Sequence, residues 1–250
     1  MRWVGLLFLL VVLLLPARPA AAERPVDLAL VLLTDMSRSV DDGEYRLIKQ
    51  GYATALTDPK VLAAIRGGPI GAIALIYVEY AGAHEVRTLV DWTVVHDDAS
   101  ARAFAERVQQ APRAFWGRTA ISAGIEHAMA ALGPGLRDAG IEAWRLVIDV
   151  CGDGTNNSGR EVAEVRDEAV AAGMTVNALV IHSDPLNTWT AAHVQPPGGL
   201  TNYYRENVIG GVGAFVLEVE NFASFGTGLI RKLITEIAGA APEREYAAGE

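Results

Sequence analysis

The chain has 250 residues, 51% of them hydrophobic, with one cysteine and a formal net charge of −9. An acidic chain without a Lys/Arg cluster is a poor match for nucleic acid or anionic lipid. The lone Cys151 excludes an intramolecular disulfide and, at the end of an apolar run, reads as a small buried hydrophobe.

Behind Arg2, residues Val4 to Leu15 form an unbroken apolar run of twelve, ended by Pro16 and followed by small residues at Ala20 and Ala22. As a helix the run rises about 18 Å, short of the roughly 30 Å hydrocarbon core of a bilayer. It reads as a signal peptide, residues 1–22, cleaved after Ala22, which places the mature protein in the periplasm or outside the cell. An uncleaved anchor is the alternative. Removing 1–22 takes away Arg2 and Arg18 and no acid, leaving 19 basic against 30 acidic residues, a net charge of −11.

The rest alternates apolar runs with helical periodicity, the pattern of an α/β sheet with helices on both faces. Val26–Thr34 is continuously apolar, as a central parallel strand is. Asp41 or Asp42 caps a helix carrying Tyr45, Ile48, Tyr52 and Leu56 on one face, and Asp58-Pro59 breaks it. A shorter helix runs to Gly67-Gly68. Ala72–Tyr80 is the second strand, and the tight Ala81-Gly82 turn makes the third, Glu85–Val95, antiparallel to it.

Asp97 and Asp98 open a helix with Phe104 and Val108. Another spans about Ala120 to Leu132, closed by Gly133-Pro134-Gly135. Strand Arg145–Cys151, helix Gly159–Ala172, strand Thr175–Ile181 and strand Ala214–Val219 follow. The last helix carries Phe222, Phe225, Leu229 and Leu233. The connection His182–Asn202 is far longer than the usual 2–6 residues, which marks it as functional or mobile. The expected organisation is one domain, 23–238, with a polar tail, 239–250.

Three short pieces carry the chemistry: Asp35-Met36-Ser37-Arg38-Ser39, Gly117-Arg118-Thr119 and Gly152-Asp153-Gly154. Each follows a strand or opens a helix, and in an open parallel sheet such loops share the carboxyl edge where ligands bind. Taken singly, the first and second read as helix caps and the third as a tight turn. Together, the carboxylates Asp35 and Asp153 and the hydroxyls of Ser37, Ser39 and Thr119 supply oxygens suited to a hard cation, Mg²⁺ or Mn²⁺.

These pieces, in this order on this strand pattern, resemble the metal-ion-dependent adhesion site of von Willebrand factor A domains. More narrowly, VDLALVLLTDMSRSVD, IKQGYATAL, YVEYAG, VIDVCGDGTNN and YYRENVIGGVGAF resemble a bacterial family of A-type proteins, DUF1194, of unknown function. The resemblance runs from Val26 to about Ala238. It implies a doubly wound, Rossmann-like, six-stranded sheet of order 3-2-1-4-5-6 with strand 3 antiparallel. It also implies an ion held by Asp35, Ser37, Ser39, Thr119 and Asp153 that accepts an Asp or Glu from a partner protein.

Two residues depart from the pattern. Arg38 stands where most A domains have glycine, and is a candidate for shaping ligand access; Cys151 stands where a small hydroxyl residue is common. Glu79 and Asp149 are acids inside apolar strands. Glu79 is a candidate to support the site, with a local salt bridge or an edge-exposed position as the alternatives, and Asp149, on the same strand face as Asp153, reads rather as a structural hydrogen-bonding group.

Rival readings are a metal-dependent hydrolase and a scaffold with a vestigial site. The sequence has no G-x-S-x-G elbow, no phosphate loop and no dinucleotide fingerprint. A haloacid-type phosphatase needs an aspartate at position 37, which is serine. His182, Asp184 and His193 share the long connection but match no common zinc spacing.

Overall fold

The computed structural model describes residues 24–183 and 193–239. The expected signal segment, Asp184 and all but the first residue of the tail lie outside the described residues.

Strand β2 (Leu28–Asp35) is buried at every position, because it runs through the middle of a sheet covered on both faces. On one side it pairs in parallel with β3 (Ile73–Tyr80), on the other with β6 (Leu146–Gly152). Outward from β3 lies the antiparallel β4 (Val86–Val95), which the tight turn after Tyr80 requires. Outward from β6 lie β7 (Thr175–Ile181) and β8 (Val216–Val219), both parallel. The order β4-β3-β2-β6-β7-β8 is 3-2-1-4-5-6 counted along the chain within this sheet, with its third strand antiparallel. A small second sheet, β1 (Arg24–Val26) with β5 (Ile141–Ala143), takes the start of what the sequence reads as one strand.

Side-chain alternation divides the core in two. Leu28, Leu30 and Leu32 point to a face covered by α1 (Asp42–Leu56), α2 (Pro59–Arg66), α3 (Asp98–Gln110) and the last helix, α8 (Phe225–Ala238). Ala29, Val31 and Leu33 point to the opposite face, under α4 (Ile121–Ala130), α6 (Val162–Ala171) and α7 (Leu200–Asn207). The acids that follow the strands fix the helix starts. Asp41 forms a capping box with Glu44, Asp97 one with Ser100, and Asp58 caps α2, whose first residue is Pro59.

Three expectations are corrected. Gly133-Pro134-Gly135 does not close the helix before it: α4 passes into a π turn, Ala131–Gly135, and on into α5 (Leu136–Asp138). The wider turn accommodates a proline that has no N–H to give. Helix α6 starts at Val162, three residues after Gly159, whose φ of +85° is not helical. The last residues of the long connection, from Leu200, belong to α7.

Candidate metal centre

Because β2 and β6 are neighbours in register, with Thr34 opposite Cys151, the loops that follow them meet at the carboxyl edge. Ser39 Oγ donates to Asp153 Oδ1 at 2.8 Å, and Ser37 Oγ lies 2.9 Å from Ser39 Oγ. Asp35 Oδ1 accepts from the Ser37 N–H at 2.7 Å, which curls the loop so that residues 35, 37 and 39 face one point. Asp35 Oδ2 is buried without a hydrogen-bond partner.

Thr119 comes from the segment between α3 and α4, which is laced onto the same edge. Arg38 N–H donates to Gly117 O, and Ala120 N–H to Ala81 O. Arg113 donates to the carbonyls of Met36 and Ser37. Asn157 reads Thr119 in both directions: its Oδ1 accepts from Thr119 N–H at 3.0 Å, and its own N–H donates to Thr119 O at 2.8 Å. The Thr119 hydroxyl faces His193 Nε2 at 3.2 Å. The side chain does not cap α4, whose cap residue is Ala120.

The electrostatics are those of two acids buried at one edge. Burial, and then the Asp153 carboxylate, hold Asp35 well above the ordinary carboxylate range, against the pull of its bond from Ser37 and of Arg113. Burial likewise raises Asp153. Both side chains are about 1% exposed, and two buried, facing carboxylates are costly unless a cation lies between them.

The residues fit a divalent ion on two counts. One is the unpartnered Asp35 oxygen. The other is the spacing of the oxygens: ligands 2.0–2.1 Å from a metal and at right angles to each other stand about 2.9 Å apart, and the Ser37–Ser39 and Ser39–Asp153 separations are of that size. Among the described residues no three His, Cys, Asp or Glu side chains gather; the set at this edge is two carboxylates with hydroxyls.

Arg38 is exposed beside the site. Glu79 does not reach the site's oxygens. It pairs with Lys49 of α1 at 2.9 Å, and its other oxygen accepts from Ala114 N–H in the segment that carries Thr119. Asp149 turns to the α8 face, where the buried Lys232 ammonium lies between it and Glu236. Burial and then Glu236 push Asp149 up, to about 7, against the pull of Lys232. Burial alone would lower Lys232, but the two acids outweigh it and keep the ammonium above its ordinary value.

Sequence reasoning missed Asn157 and Ser183 as neighbours of the site, and weighed His193 only as part of a long loop that matches no zinc spacing. Asn157 stands in the quoted GDGTNN run, with its signal hidden by the turn reading. Ser183 Oγ donates to Asp153 Oδ2 at 3.3 Å. His182 instead pairs with Glu218. His193 is half-buried, and burial followed by the charge of Arg118 lowers its pKa.

Residues 25–241 match the family described as "Protein of unknown function (DUF1194)". The chain belongs to this family. Among curated proteins none matches. The fold is that of von Willebrand factor A domains in solved structures, among them the following at low identity. Proximal thread matrix protein 1 of the mussel byssus is 18% identical, with a TM-score of 0.59 over 87% of this chain and 49% of its own. A von Willebrand factor type A protein from Catenulispora acidiphila is 17% identical, TM-score 0.56, over 85% and 42%. The pilus adhesin SpaC of Lactobacillus rhamnosus GG, in its open conformation, is 14% identical, TM-score 0.57, over 85% and 30%. The DUF1194 chain thus spans about half or less of each of these proteins.

Proposed function

We propose that this DUF1194 protein is an exported, metal-dependent adhesion or assembly module. Its ion, Mg²⁺ or Mn²⁺, is held by Asp35, Ser37, Ser39, Thr119 and Asp153. The bound ion supplies an electrophilic position for an Asp or Glu side chain of a partner protein. The single observation that carries this reading is the pair of buried carboxylates, one oxygen unpartnered, set among hydroxyl groups at ligand spacing.

The chain's own residues prepare that position. The Ser37 N–H and Asn157 orient Asp35 and Thr119, and Arg113 ties down the loop carbonyls between the ligands. Two carboxylates against a doubly charged ion leave little negative charge to repel an incoming acid. The rim adds Arg38 and Arg118, both exposed, on a chain that is acidic overall, and Trp116, 57% exposed, under the Arg113 guanidinium. An acidic, partly aromatic surface is the complement of such a rim.

Relatives in fold lend support. One structure of the mussel byssus protein has zinc in its MIDAS motif, and SpaC is named an adhesin. Export rests on the apolar run before Ala22; N-terminal sequencing of protein recovered from the periplasm or medium should begin near Glu23. Among the described residues no helix is long and apolar enough to cross a membrane.

Calorimetric titration of Mg²⁺ and Mn²⁺ into the metal-stripped protein tests the site. Saturable binding that disappears in Asp35→Ala, with the circular dichroism of the fold retained, is the expected result. Binding unchanged by Asp35→Ala would move the ion elsewhere, and a partner captured equally by wild type and variant would refute the mechanism.

A further inference from the structure

His193 is set firmly against the loop that follows Asp153. Its backbone carbonyl accepts from Thr155 N–H at 3.1 Å. Thr155 stands between two residues that α7 holds: Tyr204 Oη donates to Gly154 O, and Tyr203 Oη accepts from Asn156 N–H, both at 3.1 Å. The imidazole rests on Gly154, where a Cβ would overlap the ring. Both ring nitrogens are engaged. Nε2 lies 3.2 Å from Thr119 Oγ1, while Nδ1 lies 3.0 Å from Thr155 Oγ1 and 3.2 Å from Asn157 Nδ2.

We propose that His193 is the positioning residue of Thr119: in the ion-bound protein its ring carries the proton on Nδ1, and Nε2 accepts the proton of the Thr119 hydroxyl, which leaves the oxygen lone pairs to the ion. The imidazole itself stays off the ion. This rests on the reading of the site given above.

A hydroxyl binds a cation through a lone pair, so its single proton must find an acceptor elsewhere. Thr119 is about 1% exposed, and an unpartnered proton there would be costly. Its backbone is already fixed by Asn157, and among the described residues its hydroxyl has one hydrogen-bond partner, His193 Nε2. The neutral ring has two forms. With the proton on Nε2, the ring donates to the Thr119 oxygen and occupies one of its lone pairs. Nδ1 then accepts from Asn157 Nδ2, the donor end of an amide whose Oδ1 is fixed by Thr119 N–H. With the proton on Nδ1, the ring donates to Thr155 Oγ1, and Nε2 is left to accept. A cation drawing on the Thr119 oxygen makes its hydroxyl the better donor, and so selects the second form.

Nitrogen NMR of the histidine-labelled protein reads the form directly. Burial and then Arg118 hold this imidazole below its ordinary value of 6.5, so at about pH 8 the ring is neutral. In saturating Mg²⁺ the His193 resonances, assigned by their loss in His193→Ala, should show Nδ1 protonated and Nε2 bare. Calorimetric titration should find His193→Ala weaker for Mg²⁺ by about tenfold, the scale on which residues that orient metal ligands act. In a Thr119→Val background, where no hydroxyl is left to orient, the same substitution should cost nothing further. A ring protonated on Nε2 in saturating Mg²⁺, an unchanged affinity in His193→Ala, or an equal loss in both backgrounds overturns the assignment. Asp35→Ala binding Mg²⁺ as wild type does is a different failure, that of the underlying site, and is told apart by that variant alone.

Discussion

Asp35 and Asp153 are where the chemistry of this edge is most exposed to test. In the folded, metal-free chain both carboxyls are raised, Asp35 by burial and then by Asp153, Asp153 by burial. The folded state thus keeps protons that the unfolded chain has released. The stability they contribute is fully present below the ordinary carboxylate value of 3.8 and is lost as pH rises through the folded-state values. Asp35→Asn removes one of the two charges while keeping an acceptor for the Ser37 N–H. In chelator it should melt higher than wild type at pH 7, with the gap closing toward pH 4; with saturating Mg²⁺ the order at pH 7 should reverse. Melting curves across that pH range check both halves, and no gap in chelator would mean that the two acids do not repel. The five oxygen residues were legible as a motif because their types and spacing are local. His193 and Asn157 were not: they meet across 36 residues, and no periodicity encodes such a contact.

At the scale of elements, the last helix is fastened by charge as well as by apolar packing. Lys232 is fully buried between Asp149 of β6 and Glu236 of its own helix. Lys232→Met would leave two buried acids with no cation, a change that costs about 3–5 kcal/mol when one partner of a buried ion pair is lost. Urea unfolding should show the midpoint falling by a matching amount at unchanged slope. A loss under about 1 kcal/mol would mean that the acids neutralise themselves by taking up a proton. The crossing of α1 and α8 is close enough that a Cβ at Gly51 would stand 2.4 Å from Phe225 Cδ1 and 3.2 Å from Gly226 Cα. Gly51→Ala should therefore destabilise by about 1–3 kcal/mol through overpacking, measurable in the same experiment, although alanine is the better helix former. Most strands and helices were readable because burial imposes its period on the sequence. The continuation of α4 through Pro134 was not, since glycine and proline ordinarily stop a helix and here a π turn absorbs them.

For the molecule as a whole, an ion that binds only the native state must stabilise it. At a free concentration one hundred times its Kd the gain is about 2.7 kcal/mol. For a domain of this size that is a rise in Tm of roughly 5–10 °C. Calorimetric scans with Mg²⁺, Mn²⁺ or Zn²⁺ against chelator should show it in wild type and not in Asp35→Ala. A flat response to all three would favour a scaffold without a working site. The sequence by itself determined an alternating α/β domain, the faces of its strands, helix starts at Asp41 or Asp42 and at Asp97-Asp98, a break at Asp58-Pro59, and a set of oxygen-bearing residues at strand ends. All of these follow from local spacing and from what burial demands of each segment. Only the tertiary structure decided that Glu79 and Asp149 serve buried ion pairs, that Arg113 and Asn157 brace the loops, and that His193 faces Thr119. Those outcomes depend on which strands lie side by side and on what a long connection packs against. Because β2 lies between β3 and β6, residues more than a hundred positions apart, such as Ser39 and Asp153, share one hydrogen bond.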